Sequence, residues 1–190
     1  MATPSGTATV TIVAPRLQVA HTSALDTGAL AAARALLYDV FAPELTDEDW
    51  DHALGGIHAL AWEGDELIGH AALVQRQLIH DGRALRTGYV EGVAVRADRR
   101  RQGHGGALMA ALEPLIRSAY DLGALGSSED GGPFYAARGW TPWQGPTYAL
   151  TPDGPTRTEE EDGWIYVLQP TPPLDATKSL TCDYRAGELW

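Results

Sequence analysis

The sequence is poor in cysteine and has no long apolar run. Cys182 is the single cysteine among 190 residues, which excludes an intrachain disulfide framework and a cysteine-rich zinc site and is typical of a reducing compartment. No segment reaches the roughly 18 apolar residues that a membrane-spanning helix needs. No basic residue precedes Arg16, so the beginning does not read as a signal peptide. We therefore expect a cytoplasmic protein.

The remaining composition is that of an ordinary globular protein. Charged residues make up 21% and hydrophobic residues 44% of the chain, which excludes a largely disordered, collagen-like or coiled-coil protein. A chain of 190 residues can bury a core without disulfides or metals. We expect a flexible N-terminal tip over residues 1–14 and a single domain over residues 15–190.

Positive charge is scarce and unevenly placed. Lysine and arginine together number 14 against 25 acidic residues, a net charge of −11, and Lys178 is the single lysine. Such a charge repels nucleic acids and anionic membranes and attracts polycations, although acidity alone often serves only solubility. Arginines concentrate in residues 96–101, whereas acids cluster in residues 44–51 and 159–162. A small basic site inside an acidic shell predicts two ligands of opposite charge.

Apolar spacing along the chain predicts alternating helices and strands. Helices are expected over residues 26–41, 107–120 and 133–138, and after the capping-box pair Thr46 and Asp49 to about Leu54. Strands are expected over residues 16–21, 57–63, 67–80, 84–95, 124–127, 140–143, 164–168 and 180–184, with a long loop over 145–162. This order is typical of an α+β fold with a central mixed, largely antiparallel sheet flanked by helices.

The glycine-rich turn before the helix at 107–120 is the most informative stretch. Residues 100–105 read Arg-Arg-Gln-Gly-His-Gly. Glycines let the backbone curl with its N–H groups inward, the helix adds a positive N-terminal end, and arginines donate in pairs to phosphate. No Gly-Lys-Ser/Thr follows, so this is not a Walker loop, and the preceding antiparallel meander argues against a dinucleotide fingerprint. The turn predicts a different phosphate-bearing ligand.

The motif resembles a known family of loops. A strand that ends in Val-x-Val, followed by Arg-x-x-Gly-x-Gly, is similar to the coenzyme A pyrophosphate loop of the GNAT N-acetyltransferase superfamily. The resemblance implies a GNAT fold whose sheet carries a bulge and splays at the acetyl-CoA site. It also implies that Tyr135, in the Phe-Tyr-Ala-Ala-Arg-Gly-Trp of residues 134–140, protonates the leaving thiolate. The residues that it implies bind acetyl-CoA are Val93, Ala94 and Val95, through backbone groups that pair with the pantetheine arm, and Arg100, Arg101, Gln102, Gly103, His104 and Gly105.

Further segments narrow the resemblance. Leu-Gly-Gly-Ile-His-Ala-Leu at 54–60, Gly-Tyr-Val-Glu-Gly-Val-Ala-Val at 88–95, Gly-Trp-Thr-Pro-Trp at 139–143 and residues 182–190 look like the aminoglycoside 2'-N-acetyltransferases. The likeness runs from about Arg16 to the last residue. It implies acetyl transfer from acetyl-CoA to the 2'-amino group of polycationic antibiotics, and hence antibiotic resistance. It also implies a homodimer, for which a long, partly apolar C-terminal strand would offer a pairing edge.

Two residues are candidates for proton transfer. Only a neutral amine can attack a thioester, so a base must take a proton from the protonated substrate. Glu91 precedes the valines that face acetyl-CoA, and partial burial would raise its pKa toward the working range. A structural acid paired with a nearby arginine explains Glu91 equally well, and a packed core position is the common fate of a tyrosine such as Tyr135.

Substrate capture is assigned by the resemblance to carboxylates, which accept charge-assisted hydrogen bonds from ammonium groups. The candidate residues are Glu44, Asp49, Glu91, Gly92, Gly126, Glu160, Glu161, Asp183, Glu188 and Trp190. Each acid alone is more often a solvated surface group. Relatives carry aspartate at the positions of Glu44 and Glu188 and a serine at that of Gly126, which changes the size of the pocket. Asp130 lies where a relative's side chain approaches CoA, and its charge opposes that contact.

The histidines do not show a ligand spacing such as His-x-x-x-His, so no metal site is expected. His104, inside the turn, is expected to project outward. Two other functions remain open at this point. One is transfer to a different amine, such as a polyamine, an amino sugar or a peptide N-terminus, and the other is non-catalytic binding of polycations.

Overall fold

The computed structural model describes residues 15–190, and the expected N-terminal tip lies outside them. The strands are β1 Arg16–His21, β2 Ile57–Glu63, β3 Glu66–His80, β4 Arg83–Val95, β5 Leu122–Gly126, β6 Thr141–Pro142, β7 Thr147–Thr151, β8 Gly154–Arg157, β9 Ile165–Leu168 and β10 Leu180–Cys182. The helices are α1 Thr27–Phe41, α2 Asp47–Ala53, α3 His104–Ala119 and α4 Gly132–Ala136. None of these helices is long and apolar enough to cross a membrane.

Local sequence signals set the ends of the first elements as expected. The Asp26 side chain accepts a hydrogen bond from the Ala29 N–H at 2.7 Å and caps α1. Thr46 and Asp49 form both halves of the capping box that begins α2. Asp81 and Gly82 both have positive φ, at 51° and 76°, and make the tight turn between β3 and β4.

The strands form one mixed, largely antiparallel sheet in the order β6-β9-β5-β4-β3-β10-β7-β8. The long strand β3 pairs on one edge with β4 and on the other with β2 and then β10, and β1 pairs with β2. The β4–β5 and β10–β7 pairs are parallel, and the others are antiparallel. The α+β architecture expected from the sequence is thereby confirmed.

Helices cover both faces of the sheet. Leu60 of β2 packs in the apolar cluster that contains Leu37 of α1 and Trp50 of α2. Its neighbours Ala59 and Ala61 pack in the cluster with α3. Because successive side chains of a strand point to opposite faces, α1 and α2 lie on one side and α3 on the other.

The sheet opens in its centre, between β4 and β5. These strands pair from Thr87↔Leu122 to Tyr89↔Ala124 and, within residues 15–190, not beyond. On its other edge β4 carries a bulge, because Ala72 pairs with Glu91 whereas His70 pairs with Ala94. Both the splay and the bulge implied by the resemblance are present. They leave one edge of β4 free over its last residues.

Two sequence expectations about the later chain are wrong. Residues 145–162 are not a long loop, because β7 and β8 form a hairpin there with the register Tyr148↔Arg157 to Thr151↔Gly154. The turn signal Thr-Pro-Asp-Gly at 151–154 marks this hairpin, and Pro155 is tolerated because β8 is the last strand of the sheet. The C-terminal strand β10 is short and lies between β3 and β7, so it offers no long free edge to a second chain.

Two histidines are fully buried against each other. His58 Nδ1 lies 3.0 Å from His70 Nε2, and both side chains are inaccessible to solvent. Burial lowers the pKa of each imidazole to about 4. Both rings are therefore neutral in the folded protein at neutral pH.

This pair predicts an acid-sensitive stability. In the unfolded chain a histidine binds a proton near pH 6.5, whereas the folded protein excludes it until about pH 4. Stability is thus complete above the unfolded pKa and is lost as pH falls toward the folded pKa, by up to about 1.4 kcal/mol per pH unit for each ring. Urea unfolding between about pH 7 and 5 should show this dependence of the free energy of unfolding on pH, and His58→Asn should remove the contribution of one ring to it. An equal slope in the variant would contradict the prediction.

Candidate functional site

A cleft of about 600 Å³ opens where β4 and β5 separate. We call it the basic cleft; its walls come from the end of β4, the glycine-rich turn, the start of α3 and α4. The residues that line it are Val40, Val93, Val95, Arg99, Arg100, Arg101, Gly103, His104, Gly105, Gly106, Asp130, Gly131, Phe134 and Tyr135. Gly103 precedes α3 with φ of 88°, so the turn directs the unpaired N–H groups of the helix start toward the cleft.

Of the four arginines within residues 96–101, two are ion-paired and two are not. Arg96 is held by Glu66 and Asp98, and Arg99 by Glu63 and Asp98, at 2.6–2.9 Å. Arg100 donates to the Val95 carbonyl at 3.2 Å, and within residues 15–190 neither Arg100 nor Arg101 is ion-paired. These two guanidinium groups, with the N-terminal end of α3, give the cleft its positive charge.

Most residues expected to bind acetyl-CoA line the basic cleft, with two exceptions. The contact expected of Ala94 is through its backbone, and its side chain packs in the cluster with α1, because it alternates with Val93 and Val95. Gln102 is exposed and donates to the Asp98 carbonyl at 3.3 Å. His104 does not project freely outward, since it lines the cleft and its Nε2 is buried without a partner among the described residues. The lining also includes residues that the sequence did not predict as ligand contacts, namely Val40, Arg99, Gly106, Gly131 and Phe134.

A second cavity of about 440 Å³ lies beside the first. We call it the acidic cavity, after its lining carboxylates Glu44, Asp49, Glu91, Glu161 and Glu188. Burial and neighbouring carboxylates raise the pKa of Glu161 and Glu188. A cationic ligand would relieve this repulsion, so the cavity favours positive charge.

The acidic cavity brings together all the expected substrate-binding residues except Glu160 and Asp183. Glu160 is exposed on the short helical turn beside Glu161. Asp183 accepts a hydrogen bond at 2.8 Å from Arg76, a buried guanidinium that requires a carboxylate partner. At Gly126, an added Cβ would lie 3.6 Å from the Tyr89 hydroxyl, which is buried without a partner among the described residues.

Glu91 pairs with an arginine that the sequence analysis did not identify. Arg185 donates to the Glu91 carboxylate, and it also donates to the carbonyls of Glu188 and Trp190 at 2.9 Å. Burial raises the pKa of Glu91, and the guanidinium of Arg185 opposes that shift. The arginine partner considered for Glu91 is therefore present, and the same carboxylate lines the acidic cavity.

The two spaces meet at Val93 and Tyr135, which line both. Tyr135 is 8% exposed, and its ring packs on Phe134, Trp140 and Tyr166. Burial raises the pKa of its hydroxyl to about 12, so it carries its proton at neutral pH. A weak acid thus lies at the junction of the basic cleft and the acidic cavity. No cluster of three or more potential metal ligands occurs within residues 15–190.

Comparisons with known proteins agree with this geometry. Residues 22–143 match the family model described as an acetyltransferase (GNAT) domain. The chain is 48% identical over 177 residues to an aminoglycoside 2'-N-acetyltransferase of Mycolicibacterium fortuitum, with 91% of each protein covered.

Solved structures show the same fold at low identity. YhbS, a GNAT family N-acetyltransferase of Escherichia coli in complex with CoA, aligns over 94% of each chain at 16% identity with a TM-score of 0.61. Escherichia coli ElaA aligns over 82% of this chain and 99% of its own at 23% identity with a TM-score of 0.58. The protein therefore belongs to the GNAT acetyltransferases and, within them, to the family of the aminoglycoside 2'-N-acetyltransferase.

Proposed function

We propose that the protein transfers the acetyl group of acetyl-CoA to the 2'-amino group of aminoglycosides. The observation that carries the proposal is the meeting of the basic cleft and the acidic cavity at Val93 and Tyr135. An anionic acyl donor and a polycationic acceptor would each find a complementary surface, and their reacting groups would meet at the junction. The 48% identical relative supports this choice of acceptor.

In this proposal the basic cleft binds acetyl-CoA. Arg100, Arg101 and the start of α3 would hold the pyrophosphate, since arginine pairs and helix N-termini both favour phosphate. The pantetheine arm would lie along the free edge of β4, where β5 no longer pairs. Asp130 also lines the cleft, and its negative charge disfavours phosphate on that wall.

The chemistry is a direct transfer. Glu91 takes a proton from the 2'-ammonium group, directly or through water, and the free amine attacks the thioester carbon. A nitrogen–carbon bond forms, the carbon–sulfur bond breaks, and sulfur leaves as the CoA thiolate. Tyr135 then gives its hydroxyl proton to the thiolate, and the new amide nitrogen loses its second proton, which returns through water to the tyrosinate. The burial that raises the pKa of Glu91 makes its carboxylate a better base.

The test of the function is thiol release from acetyl-CoA with matched aminoglycosides that carry either a 2'-amine or a 2'-hydroxyl. Release with the 2'-amines alone is the expected result and identifies both the reaction and its position. Release with small polyamines but with neither aminoglycoside set would favour a different amine. Tight polycation binding without thiol release from any acceptor would favour the non-catalytic binder.

The neighbours Glu160 and Glu161 offer a matched test of the acidic cavity. Glu161 lines the cavity, whereas Glu160 is exposed outside it. We expect Glu161→Gln to raise KM for the aminoglycoside about tenfold, because a charge-assisted hydrogen bond contributes roughly 1.5–3 kcal/mol. Glu160→Gln should leave KM unchanged. Equal effects of the two substitutions in steady-state kinetics would show that only overall charge matters.

Tyr135→Phe should lower kcat by about tenfold, less than the 10²–10⁴ usual for a general acid, because a thiolate already leaves readily. Tyr166→Phe is the control, since that ring packs on Tyr135 at 6.2 Å but does not line the basic cleft. Turnover measured at saturating acetyl-CoA checks the prediction. An undiminished kcat in Tyr135→Phe would make Tyr135 a packing residue.

Three further expectations remain predictions beside this proposal. They are the homodimer, the cytoplasmic location and the role in antibiotic resistance. Analytical ultracentrifugation of the purified chain tests the first, and drug susceptibility of cells that carry or lack the protein tests the last.

A further inference from the structure

A chain of hydrogen bonds runs from the bulge of β4 through the buried histidine pair. His70 Nδ1 lies 2.8 Å from the Gly92 carbonyl oxygen, and His70 Nε2 lies 3.0 Å from His58 Nδ1. His58 Nε2 lies 2.9 Å from Thr22 Oγ1, which in turn accepts from the Gly55 N–H at 2.9 Å. The proposed chemistry does not use either histidine.

The Gly92 carbonyl fixes which group donates in each of these hydrogen bonds. The Gly92 carbonyl can only accept, so the proton of the neutral His70 ring is on Nδ1. His70 Nε2 must then accept from His58 Nδ1–H, and His58 Nε2 must accept from the Thr22 hydroxyl. A single tautomer of each ring therefore satisfies the whole chain, with His70 as the donor to the bulge.

Gly92 has a left-handed conformation and is closely packed. Its φ is 54°, and a Cβ there would lie 3.0 Å from Leu37 Cδ1. Glycine adopts this backbone without strain, so the neighbouring contacts fix the orientation of its peptide group. Leu37 packs against the Cα side of Gly92, and His70 binds its carbonyl oxygen.

The hydrogen bond from His70 to the Gly92 carbonyl also orients the N–H group of Val93. The Gly92–Val93 peptide is trans, so its C=O and N–H point in opposite directions. The carbonyl points toward the His70 ring, and the Val93 N–H therefore points away from that ring. Val93 lines both the basic cleft and the acidic cavity.

We propose that His70 is a positioning residue for acetyl transfer: by holding the Gly92 carbonyl, it aims the Val93 N–H at the acetyl carbonyl oxygen. That oxygen gains negative charge as the amine attacks, and a fixed donor stabilises it. Loss of one such donor typically lowers kcat about 10²–10³-fold. The inference rests on the proposed acetyl transfer, but it concerns the donor side of the reaction alone.

Two substitutions of His70, by asparagine and by glutamine, distinguish its role as a hydrogen-bond donor to Gly92 from a role in packing alone. Asparagine places its amide N–H near the position of the imidazole Nδ1, whereas glutamine reaches the position of Nε2. We expect His70→Asn to keep kcat within about threefold and His70→Gln to lose about 10- to 100-fold, since the N–H is misdirected rather than removed. KM for acetyl-CoA should not change. His58→Leu is the control, because it weakens the core but leaves the bond to Gly92.

A second readout does not depend on the acceptor amine. With acetyl-CoA labelled with carbon-13 at the acetyl carbonyl, difference infrared spectra report the carbonyl stretch in the bound state. A hydrogen bond from Val93 N–H should lower this frequency in the wild type and in His70→Asn, but not in His70→Gln. Urea unfolding of each variant reports its stability separately.

The outcomes distinguish this inference from the proposed function. Equal kcat and equal carbonyl frequency in His70→Asn and His70→Gln would overturn the role of His70, even if the aminoglycosides are acetylated. A loss of kcat in His58→Leu as large as in His70→Gln would also overturn it, because core damage would then explain both. If no aminoglycoside is acetylated, the proposed acceptor is wrong. A carbonyl frequency that is lowered in the wild type and in His70→Asn but not in His70→Gln would still support the positioning role of His70.

Discussion

Glu91→Gln should lower the rate of acetyl transfer by about 100-fold or more near neutral pH, because general base catalysis contributes roughly 10²–10⁴. The substitution keeps the shape of the side chain and a hydrogen-bond acceptor for Arg185, but it cannot accept the proton of the 2'-ammonium group. Steady-state kcat/KM with a 2'-amino aminoglycoside measures the effect.

The pH dependence gives the sharper form of this prediction. Burial raises the pKa of Glu91, and only the ionised carboxylate acts as a base, so wild-type kcat/KM should fall as pH drops through that raised pKa. Glu91→Gln should lack this acidic limb. The gap between the two proteins should narrow at high pH, where the substrate amine loses its proton unaided. An unchanged pH–rate profile in the variant would contradict a role as base.

Arg185→Gln is the control that separates the base from a structural ion pair. Arg185 opposes the burial that raises the pKa of Glu91, so its removal should move the acidic limb to higher pH and leave activity above it. If Glu91 served only to pair with Arg185, both substitutions would damage the protein alike and neither would move the limb. The two profiles measured side by side therefore decide between the readings that the sequence left open.

The sequence predicted the parts of the site that lie in continuous motifs. The turn from Arg100 to Gly105 and the strand before it were identified because their chemistry depends on local backbone shape and adjacent charge. At residues 93–95 the structure adds what the motif does not state, since alternation turns the Ala94 side chain to the other face of the strand and leaves its backbone for the expected contact. A motif names a segment, whereas the register of the strand selects the side chains that face the ligand.

The placements that the sequence did not predict depend on contacts between distant parts of the chain. Asp183 lies within a recognised segment, but the buried Arg76 of β3 binds it outside the acidic cavity. Glu160 and Glu161 are adjacent on a 3-10 turn, in which successive residues rotate by about 120°, so only one of them faces inward. Arg185 carries no motif of its own. Its role follows from the path of the last residues past Glu91, which no local pattern encodes.

That path also predicts a large effect on stability. Trp190 is 6% exposed and packs in the apolar cluster with Trp143 and Tyr89. Its indole N–H donates to Thr158 Oγ1 at 3.0 Å. Trp190→Ala should lower the free energy of unfolding by about 3–5 kcal/mol, the usual cost of emptying a buried aromatic site. Trp164→Ala is the control, since that side chain is 40% exposed and should cost far less.

The same substitution should also damage the acidic cavity, because the residues before Trp190 form one of its walls. Arg76 donates to the Leu189 carbonyl at 2.7 Å, and His52 Nε2 lies 2.7 Å from the Ala186 carbonyl oxygen. Residues 185–189 are therefore held by individual hydrogen bonds, whereas the Trp190 indole is packed in the core. We expect Trp190→Ala to raise KM for the aminoglycoside and lower stability together, whereas Glu91→Gln lowers turnover far more than stability. Urea unfolding beside steady-state kinetics tests this contrast. A stable Trp190→Ala variant with normal KM would show that the hydrogen bonds alone hold the residues before Trp190 in place.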